Sequence, residues 1–232
     1  MNMDEPKVIF EDNHLLGVNK GPGWLVQSDR TGDFTLLEWA KRYIKDRYNK
    51  PGKVFLNPVH RIDRPASGAV LFGRTTKGLS RMNQLIKERK IDKFYWVITQ
   101  TAPPEPMANL EHYILKEKMK NKVMAIPINK RPPKKAKKAI LDYELVAEIE
   151  GRFLLRVKLQ TGRPHQIRAQ LSAIGCSIIG DIKYGAMEPL PDMSIALHSS
   201  EMKFVHPVKK EDTSILADPP DTPVWKRFKS FF

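Results

Sequence analysis

The stretch Pro58-Val59-His60-Arg61-Ile62-Asp63-Arg64-Pro65-Ala66-Ser67-Gly68 lies between two apolar runs, residues 54–56 and 69–72. This pattern predicts a loop between two buried strands, and the proline within it disfavours helix. The loop displays one carboxylate, Asp63, between the guanidinium groups of Arg61 and Arg64. Nearby positive charges favour the ionised form that a carboxylate nucleophile requires. Taken alone, the stretch is equally compatible with an ordinary surface cluster of ion pairs.

Apolar periodicity predicts the elements around this loop. A capping box at Thr35–Glu38 opens a helix to about residue 48, and residues 79–86 carry a second amphipathic stripe. Residues 93–99 and 195–205 are predicted strands, and a helix over residues 165–174 has Pro164 at its first position and Gly175 as its stop. Lys20 lies at the end of an early predicted strand, before the turn Gly21-Pro22-Gly23. A strand followed by a turn explains this position without a functional role for Lys20.

The composition indicates a polyanionic partner. The 232 residues include 40 Lys and Arg against 26 Asp and Glu, a formal net charge of +14. Nucleic acid is the first candidate, and an anionic membrane surface is the second. We expect no membrane association, because no apolar run approaches the roughly 20 residues of a membrane span and the N-terminal sequence lacks the order of a signal peptide. A single cysteine, Cys176, excludes an internal disulfide and favours a reducing cytoplasm.

The most basic segment covers residues 116–138, with ten Lys or Arg and one acid, Glu117. It is interpreted as a hairpin insertion with a long basic tip. Cationic side chains there would contact phosphate and release counterions, and a flexible solubilising loop is the alternative. The phosphate-contacting candidates are Lys134, Lys135, Lys137 and Lys138. The basic and aromatic C-terminal tail, about residues 219–232, could stack on RNA or dock on the domain, and we favour docking.

Two further motifs, Lys93-Phe94-Tyr95 and Thr161-Gly162-Arg163-Pro164-His165-Gln166-Ile167-Arg168, follow the Asp63 loop. Together the three motifs resemble the RluA-type pseudouridine synthases, which isomerise uridine in ribosomal or transfer RNA. The resemblance runs from near Val8 to about Pro207. It implies an α+β fold with a central mixed, mostly antiparallel sheet flanked by helices, in one catalytic domain over residues 1–232. Many relatives carry an N-terminal S4-like RNA-binding module, and we expect none here.

The resemblance also implies roles for individual residues. Asp63 is expected to be the nucleophile, attacking either C1′ or C6 of the uridine, and Arg168 is expected to pair with it. Tyr95 is expected to pack against the base and is a candidate to take the C5 proton. Arg61 is a candidate to fill the stack that the flipped uridine leaves. The remaining expected RNA or base contacts are Arg64, Arg163, His165 and Gln166, with Arg163 suited to a phosphate at a helix N-terminus.

The expected partner is RNA, and the expected chemistry needs no cofactor and no metal. Metal binding at His60, His165 and His206 is an alternative to hydrogen-bonded structural histidines. We expect a cytoplasmic monomer. One rival function is a non-catalytic RNA-binding or ribosome-assembly protein with the same fold. The other is a metal-dependent nucleic-acid hydrolase that uses Asp and His. The sequence does not identify the RNA or the uridine.

Overall fold

The computed structural model describes residues 5–29, 31–117 and 121–232. The strands within these residues are β1 Lys7–Glu11, β2 Leu15–Lys20, β3 Asn57–Pro58, β4 Ser67–Gly73, β5 Asp92–Thr99, β6 Met107–Lys116, β7 Val123–Pro127, β8 Lys137–Ile149, β9 Arg152–Leu159, β10 Leu197–Val205 and β11 Asp212–Leu216. The helices are α1 Leu36–Arg47, α2 Thr76–Lys87, α3 Gln166–Ala173 and α4 Pro223–Lys226, with 3₁₀ turns at Ile182–Tyr184 and Lys229–Phe231. No helix in this described part of the chain is long and apolar enough to cross a membrane.

The chain divides into two compact units. The first contains Met1–Ile91 and Ser199–Pro220, and the second contains Asp92–His198 and Asp221–Phe232. Every strand pairing whose register is described is antiparallel. The predicted α+β class, with a mixed and mostly antiparallel sheet flanked by helices, is confirmed. That residues 1–232 act as one catalytic domain stays a prediction.

The first unit places a helix on each face of its strands, in the order β1-β2-β4-β10 with β11 beside β10. Alternation along β2 sends Leu15 to one face and Leu16 and Val18 to the other. The Leu15 face packs with α2 through Met82, and the Leu16 face packs with α1 through Leu36 and neighbouring apolar residues. Burial on both faces explains the continuous apolar run 69–72 in β4, since all seven residues of this strand are buried.

The second unit has the strand order β5-β9-β8-β6-β7, with β7 at the edge. Helix α3 packs on these strands, where Ala169 joins Ile114, Val123 and Ala139 in one apolar cluster. The tail forms α4 and docks on this unit, because Trp225 and Phe228 are buried and the ring of Phe232 lies 5.4 Å from that of Trp96. The docking interpretation of the tail is therefore confirmed.

The ends of the helices and strands agree with the sequence-based predictions in some places and differ in others. The capping box is confirmed: the Thr35 hydroxyl accepts from the Glu38 N–H, and the Glu38 carboxylate accepts from the Thr35 N–H. The start of α3 was predicted wrongly, because His165 has a left-handed backbone (φ 50°) that no helix can continue through, so the helix begins at Gln166 and Pro164 lies outside it. Residues 54–56 form no strand, and β11 was not predicted.

Candidate active site

The Asp63 loop joins β3 to β4 in the first unit and is closed by its own backbone. The Asp63 carbonyl accepts from the Ala66 N–H at 3.1 Å, which makes a tight turn over residues 63–66. At the entrance to the loop, His60 Nε2 accepts from the Leu71 N–H at 3.2 Å and ties the loop to β4. The Asp63 side chain itself is half-buried. The turn fixes the backbone from which the Asp63 side chain extends.

Lys20 lies beneath this turn as a fully buried support. Its ammonium donates to the carbonyls of Gly21 (3.0 Å), Arg64 (3.2 Å) and Ala66 (2.6 Å), which uses all three of its N–H donors. Burial lowers the pKa of Lys20 to about 7, while the nearby Asp63 charge acts in the opposite direction and Arg64 adds to the lowering. Lys20 therefore fixes the backbone of the Asp63 turn by direct hydrogen bonds. The sequence carried a signal for this, because Lys20 continues the buried face of Leu16 and Val18 at a spacing of two.

The two arginines beside Asp63 differ in their surroundings. Arg64 donates from Nε to the Gly23 carbonyl at 2.9 Å, and its Nη1 lies 2.7 Å from the Asp33 carboxylate. These contacts tie the loop to the segment that precedes α1. Arg61 is exposed, as a side chain that contacts RNA needs to be.

Gly68 allows the strand after the loop to lie against Ser199 in the same unit. Its φ is +117°, which L side chains rarely adopt, and a Cβ on it would lie 2.7 Å from the Ser199 Cα and closer still to the Ser199 N and O atoms. No side chain fits between these two backbones. The glycine at the end of the quoted stretch is therefore required by packing as well as by the turn.

Strand β5 presents Tyr95 in the second unit. Tyr95 is 7% exposed, and strand alternation places Lys93 and Val97 on the same face. The opposite face carries Phe94, against which the Arg156 guanidinium lies 4.7 Å from the ring centroid. Strand β5 therefore has two distinct faces, and Tyr95 lies on the more buried one.

Helix α3 holds Arg168 inside the second unit by a two-pronged ion pair. Arg168 Nε donates to Asp181 Oδ2 at 2.6 Å, and Nη2 donates to Asp181 Oδ1 at 2.7 Å. The two side chains are 5% and 1% exposed. A bidentate pair at this burial fixes the plane of the guanidinium. Asp181 was not predicted as a site residue, and its signal in the sequence was its place in the segment Gly180-Asp181-Ile182-Lys183-Tyr184-Gly185.

Tyr184 connects the same arginine to strand β7 and to His165. Its ring lies 4.9 Å from the Arg168 guanidinium carbon, and its hydroxyl accepts from the Val123 N–H at 2.9 Å. His165 Nδ1 lies 2.9 Å from that hydroxyl. Both contacts are satisfied when Tyr184 donates its own proton to Nδ1, which leaves the His165 proton on Nε2. The position of Arg168 therefore depends on a ring that also anchors β7.

The segment before α3 is shaped by Gln166, which is 2% exposed. Its Oε1 accepts from the Thr161 hydroxyl at 2.8 Å and from the Arg163 N–H at 2.9 Å, and its Nε2 donates to the Ile140 carbonyl at 3.0 Å. Arg163 donates from Nε to the Lys138 carbonyl at 3.0 Å. Gln166 supports the loop in this arrangement. The RNA contacts expected of Gln166, Arg163 and His165 stay predictions.

The basic hairpin is formed by β6 and β7 and continues into β8, with residues 118–120 outside the described residues. Lys134, Lys135 and Lys137 are exposed. Lys138 is exposed as well, and its ammonium lies 2.8 Å from the Glu111 carboxylate. The first three lysines are therefore the stronger candidates for phosphate contact.

The expected site residues are divided between the two units. Asp63, Arg61 and Arg64 belong to the first, whereas Tyr95 and Arg168 belong to the second. The expected pair of Asp63 with Arg168 joins the two units and stays a prediction. Among the described residues, no cluster of three His, Cys, Asp or Glu side chains could hold a metal ion.

Comparison with known proteins gives one family. Residues 14–173 match the family model described as RNA pseudouridylate synthase. The ribosomal large subunit pseudouridine synthase C of Buchnera aphidicola subsp. Acyrthosiphon pisum is 29% identical over 208 residues, which cover 87% of this chain and 63% of the relative. The chain thus spans somewhat less than two thirds of that relative's length.

Two further likenesses cover nearly the whole chain. The tRNA pseudouridine synthase C of Vibrio parahaemolyticus is 27% identical over 249 residues, which cover 98% of this chain and 95% of the relative. The solved structure of human RNA pseudouridylate synthase domain containing 4 superposes with a TM-score of 0.81 at 20% identity, covering 96% of this chain and 92% of that one. At that identity the second likeness concerns the fold.

Proposed function

Since this chain belongs to the RNA pseudouridylate synthase family, we propose that it isomerises specific uridines of structured RNA to pseudouridine. The observation that carries the proposal is the family match over residues 14–173, which includes Asp63, Tyr95 and Arg168. A protein that only binds RNA needs positive charge but has no requirement for this particular set of side chains.

The proposed reaction is balanced without an external reactant. The bond from C1′ to N1 breaks, the uracil turns within the site, and a bond from C1′ to C5 forms. The proton lost from C5 is matched by one gained at N1. Asp63 supplies the nucleophilic oxygen, which bonds to C1′ or C6 and is released before the product leaves. Tyr95 packs against the base and is the candidate to take the C5 proton.

Arg168 is proposed to orient the Asp63 carboxylate. The buried pair with Asp181 fixes the guanidinium plane, and a fixed guanidinium can hold a carboxylate in one rotamer. Lys20 supports the same carboxylate from its backbone side through the Arg64 and Ala66 carbonyls. These contacts favour a preorganised nucleophile, which requires little rearrangement when substrate arrives.

A uridine stacked in RNA must leave the stack to reach Asp63, at a cost of a few kcal/mol. Arg61 is exposed beside Asp63 and is proposed to fill the vacated place. Arg64, Arg163 and the hairpin lysines Lys134, Lys135 and Lys137 are proposed to bind the RNA backbone, consistent with a net charge of +14. The source of binding energy would then be the catalytic fold and its hairpin together.

The proposed substrate is ribosomal or transfer RNA, because the similar proteins are named for one or the other. The test is to map pseudouridine in both RNA classes from cells with and without the gene, and to complement the deletion with the parent chain or with Asp63→Asn. We expect at least one position to be lost and to return only with the parent. Retention of every position, or restoration by Asp63→Asn, would contradict the proposal.

A second assay distinguishes the proposed synthase activity from that of a metal-dependent nucleic-acid hydrolase. The purified chain is incubated with the mapped RNA in the presence and absence of EDTA. Isomerisation of intact RNA in both samples agrees with the proposal, whereas RNA strand cleavage that EDTA prevents supports the hydrolase. We propose a monomer acting in the cytoplasm.

A further inference from the structure

Lys93 lies on the same face of β5 as Tyr95, two residues before it. Its side chain is half-buried, and its Nζ lies 3.2 Å from the place where a Cβ would stand on Gly162. Gly162 belongs to the motif that ends in Arg168. The ammonium is therefore held between two elements that supply expected site residues, and all of these residues belong to the second unit.

The Lys93 ammonium differs from those of Lys20 and Lys158, which both have partners. Lys20 donates to three carbonyls. The Lys158 ammonium lies 2.9 Å from the Asp92 carboxylate. Within residues 5–29, 31–117 and 121–232, by contrast, no acceptor or carboxylate pairs with Lys93. Burial alone lowers the pKa of Lys93, with no opposing charge to raise it.

Burying an ammonium group without a charged or hydrogen-bonding partner makes folding less favourable. Such a group is therefore expected where a bound ligand supplies the partner. Arg163, the residue after Gly162, adds a positive charge to the same motif, and positive charge favours an anionic ligand over a neutral one. The only anion that every nucleotide of RNA supplies is its phosphate. Gly162 leaves the ammonium open on the side where its Cβ would be.

We propose that Lys93 is a substrate-binding residue that holds a backbone phosphate at or beside the target uridine. The inference rests on the proposed function for the identity of the anion. Lys93 positions the nucleotide while Tyr95, one strand repeat further along, packs against its base. Binding would place the phosphate and the base at the two ends of one short strand segment.

The experiment compares the full-length parent with Lys93→Met, Lys93→Arg and a control, Lys158→Met. The control also removes one lysine charge, from strand β9, where Lys158 is paired with Phe94 and so lies on the face opposite to Lys93. The RNA probe is an unmodified ribosomal or transfer RNA transcript carrying tritium at uracil C5. Three quantities are measured: the urea midpoint of the RNA-free chain, the RNA affinity as a function of salt, and the rate constants of tritium release.

We expect Lys93→Met to keep or raise the urea midpoint, because it removes an unpaired buried charge. RNA affinity should fall about 10-fold, and the slope of log affinity against log salt should become shallower by about 0.7–0.9, the value of one phosphate contact. The maximal rate of release should be unchanged, so that the loss lies in KM. Lys93→Arg should restore the slope, and Lys158→Met should resemble the parent.

Three outcomes would overturn the inference. A lowered midpoint, or failure of Lys93→Met to fold while Lys158→Met folds, would make Lys93 a structural residue. An unchanged salt slope would mean that it does not touch phosphate. A fall in the maximal rate at unchanged affinity would place it on the uracil ring. If the parent chain releases no tritium, that result contradicts the proposed function rather than the role of Lys93. The urea midpoint and the salt slope still test that role.

Discussion

Arg168 and Asp181 form a buried, two-pronged ion pair, with donor–acceptor distances of 2.6 and 2.7 Å. The two residues are 13 positions apart, and neither side chain is more than 5% exposed. Ion pairs at such depth stabilise little on balance but are damaging to break, because a charge is left behind without its hydrogen bonds. Such a pair instead fixes the orientation of its groups, and here it fixes the plane of the Arg168 guanidinium, which is proposed to orient Asp63.

Asp181→Asn should therefore reduce both stability and activity. The amide cannot accept two charge-assisted bonds from Arg168, and we expect the free energy of unfolding to fall by about 3 kcal/mol. Urea unfolding measures this, and tritium release at a temperature where the variant is folded measures the loss of activity, expected to exceed 10-fold, or about 1.4 kcal/mol. Asp92→Asn, which removes the exposed partner of Lys158, is the control and should change stability by about 0–1 kcal/mol. Full activity of folded Asp181→Asn would remove this pair from the mechanism.

Lys20→Met should disturb the Asp63 turn and change how stability depends on pH. Burial lowers the pKa of Lys20 to about 7 in the folded chain, whereas the pKa of an unfolded lysine is about 10. Between these values the unfolded state binds more protons, so Lys20 makes stability rise with pH, by at most about 1.4 kcal/mol per pH unit.

The measurement is the free energy of unfolding of parent and Lys20→Met between pH 7 and about 10. The difference between the two chains should carry this slope, and Lys20→Met should lose most of its tritium release. Lys90→Met, an exposed lysine in the same unit, should follow the parent curve. Parallel curves for parent and Lys20→Met would show that Lys20 keeps its proton in the folded chain across this range.

Gly68→Ala tests the close approach of two backbones. A methyl group would meet the Ser199 backbone at 2.7 Å or less, and φ would stay at +117° only under strain. We expect a loss of more than about 2 kcal/mol in the free energy of unfolding. Gly52→Ala, where nothing lies within 4 Å of the added carbon, should be close to neutral. Equal stability of the two variants would contradict the packing argument.

Replacing Lys134, Lys135 and Lys137 with Gln tests the basic hairpin. We expect weaker RNA binding at low salt and a salt slope that is shallower by about 2–3, the loss expected for three phosphate contacts. Adding Lys138→Gln should change the slope less, because Lys138 is paired with Glu111. The charge-matched control replaces Lys77, Lys87 and Lys90 on and after α2. A slope that changes equally in both triple variants would mean that the hairpin acts only through net charge.

The sequence predicted those features that depend on local pattern. The capping box of α1 and the strand predicted over residues 93–99 are decided by residues a few positions apart, and both were found. The fold class followed from the family resemblance. Such signals come from neighbouring residues or short motifs, so they can be recognised in a single sequence.

What the sequence did not predict depends on contacts between distant residues. Lys20 was treated as a turn residue, because its three acceptors come together only when β2 and the Asp63 loop are folded. Asp181 has no periodic relation to Arg168. The start of α3 was misplaced because Gln166 ties down residues 161–163 and His165 takes a left-handed conformation, which outweighs the preference of Pro164 for a first helical turn.

The most direct test of the account is tritium release from RNA labelled at uracil C5, with Asp63→Asn as the variant. Because the proposed mechanism depends on the Asp63 oxygen, the account predicts that the parent releases tritium and that Asp63→Asn falls by at least about 10³-fold while it still binds the RNA. Asp218→Asn, an exposed carboxylate in the same unit, should match the parent. Release by Asp63→Asn at the rate of the parent would contradict the account.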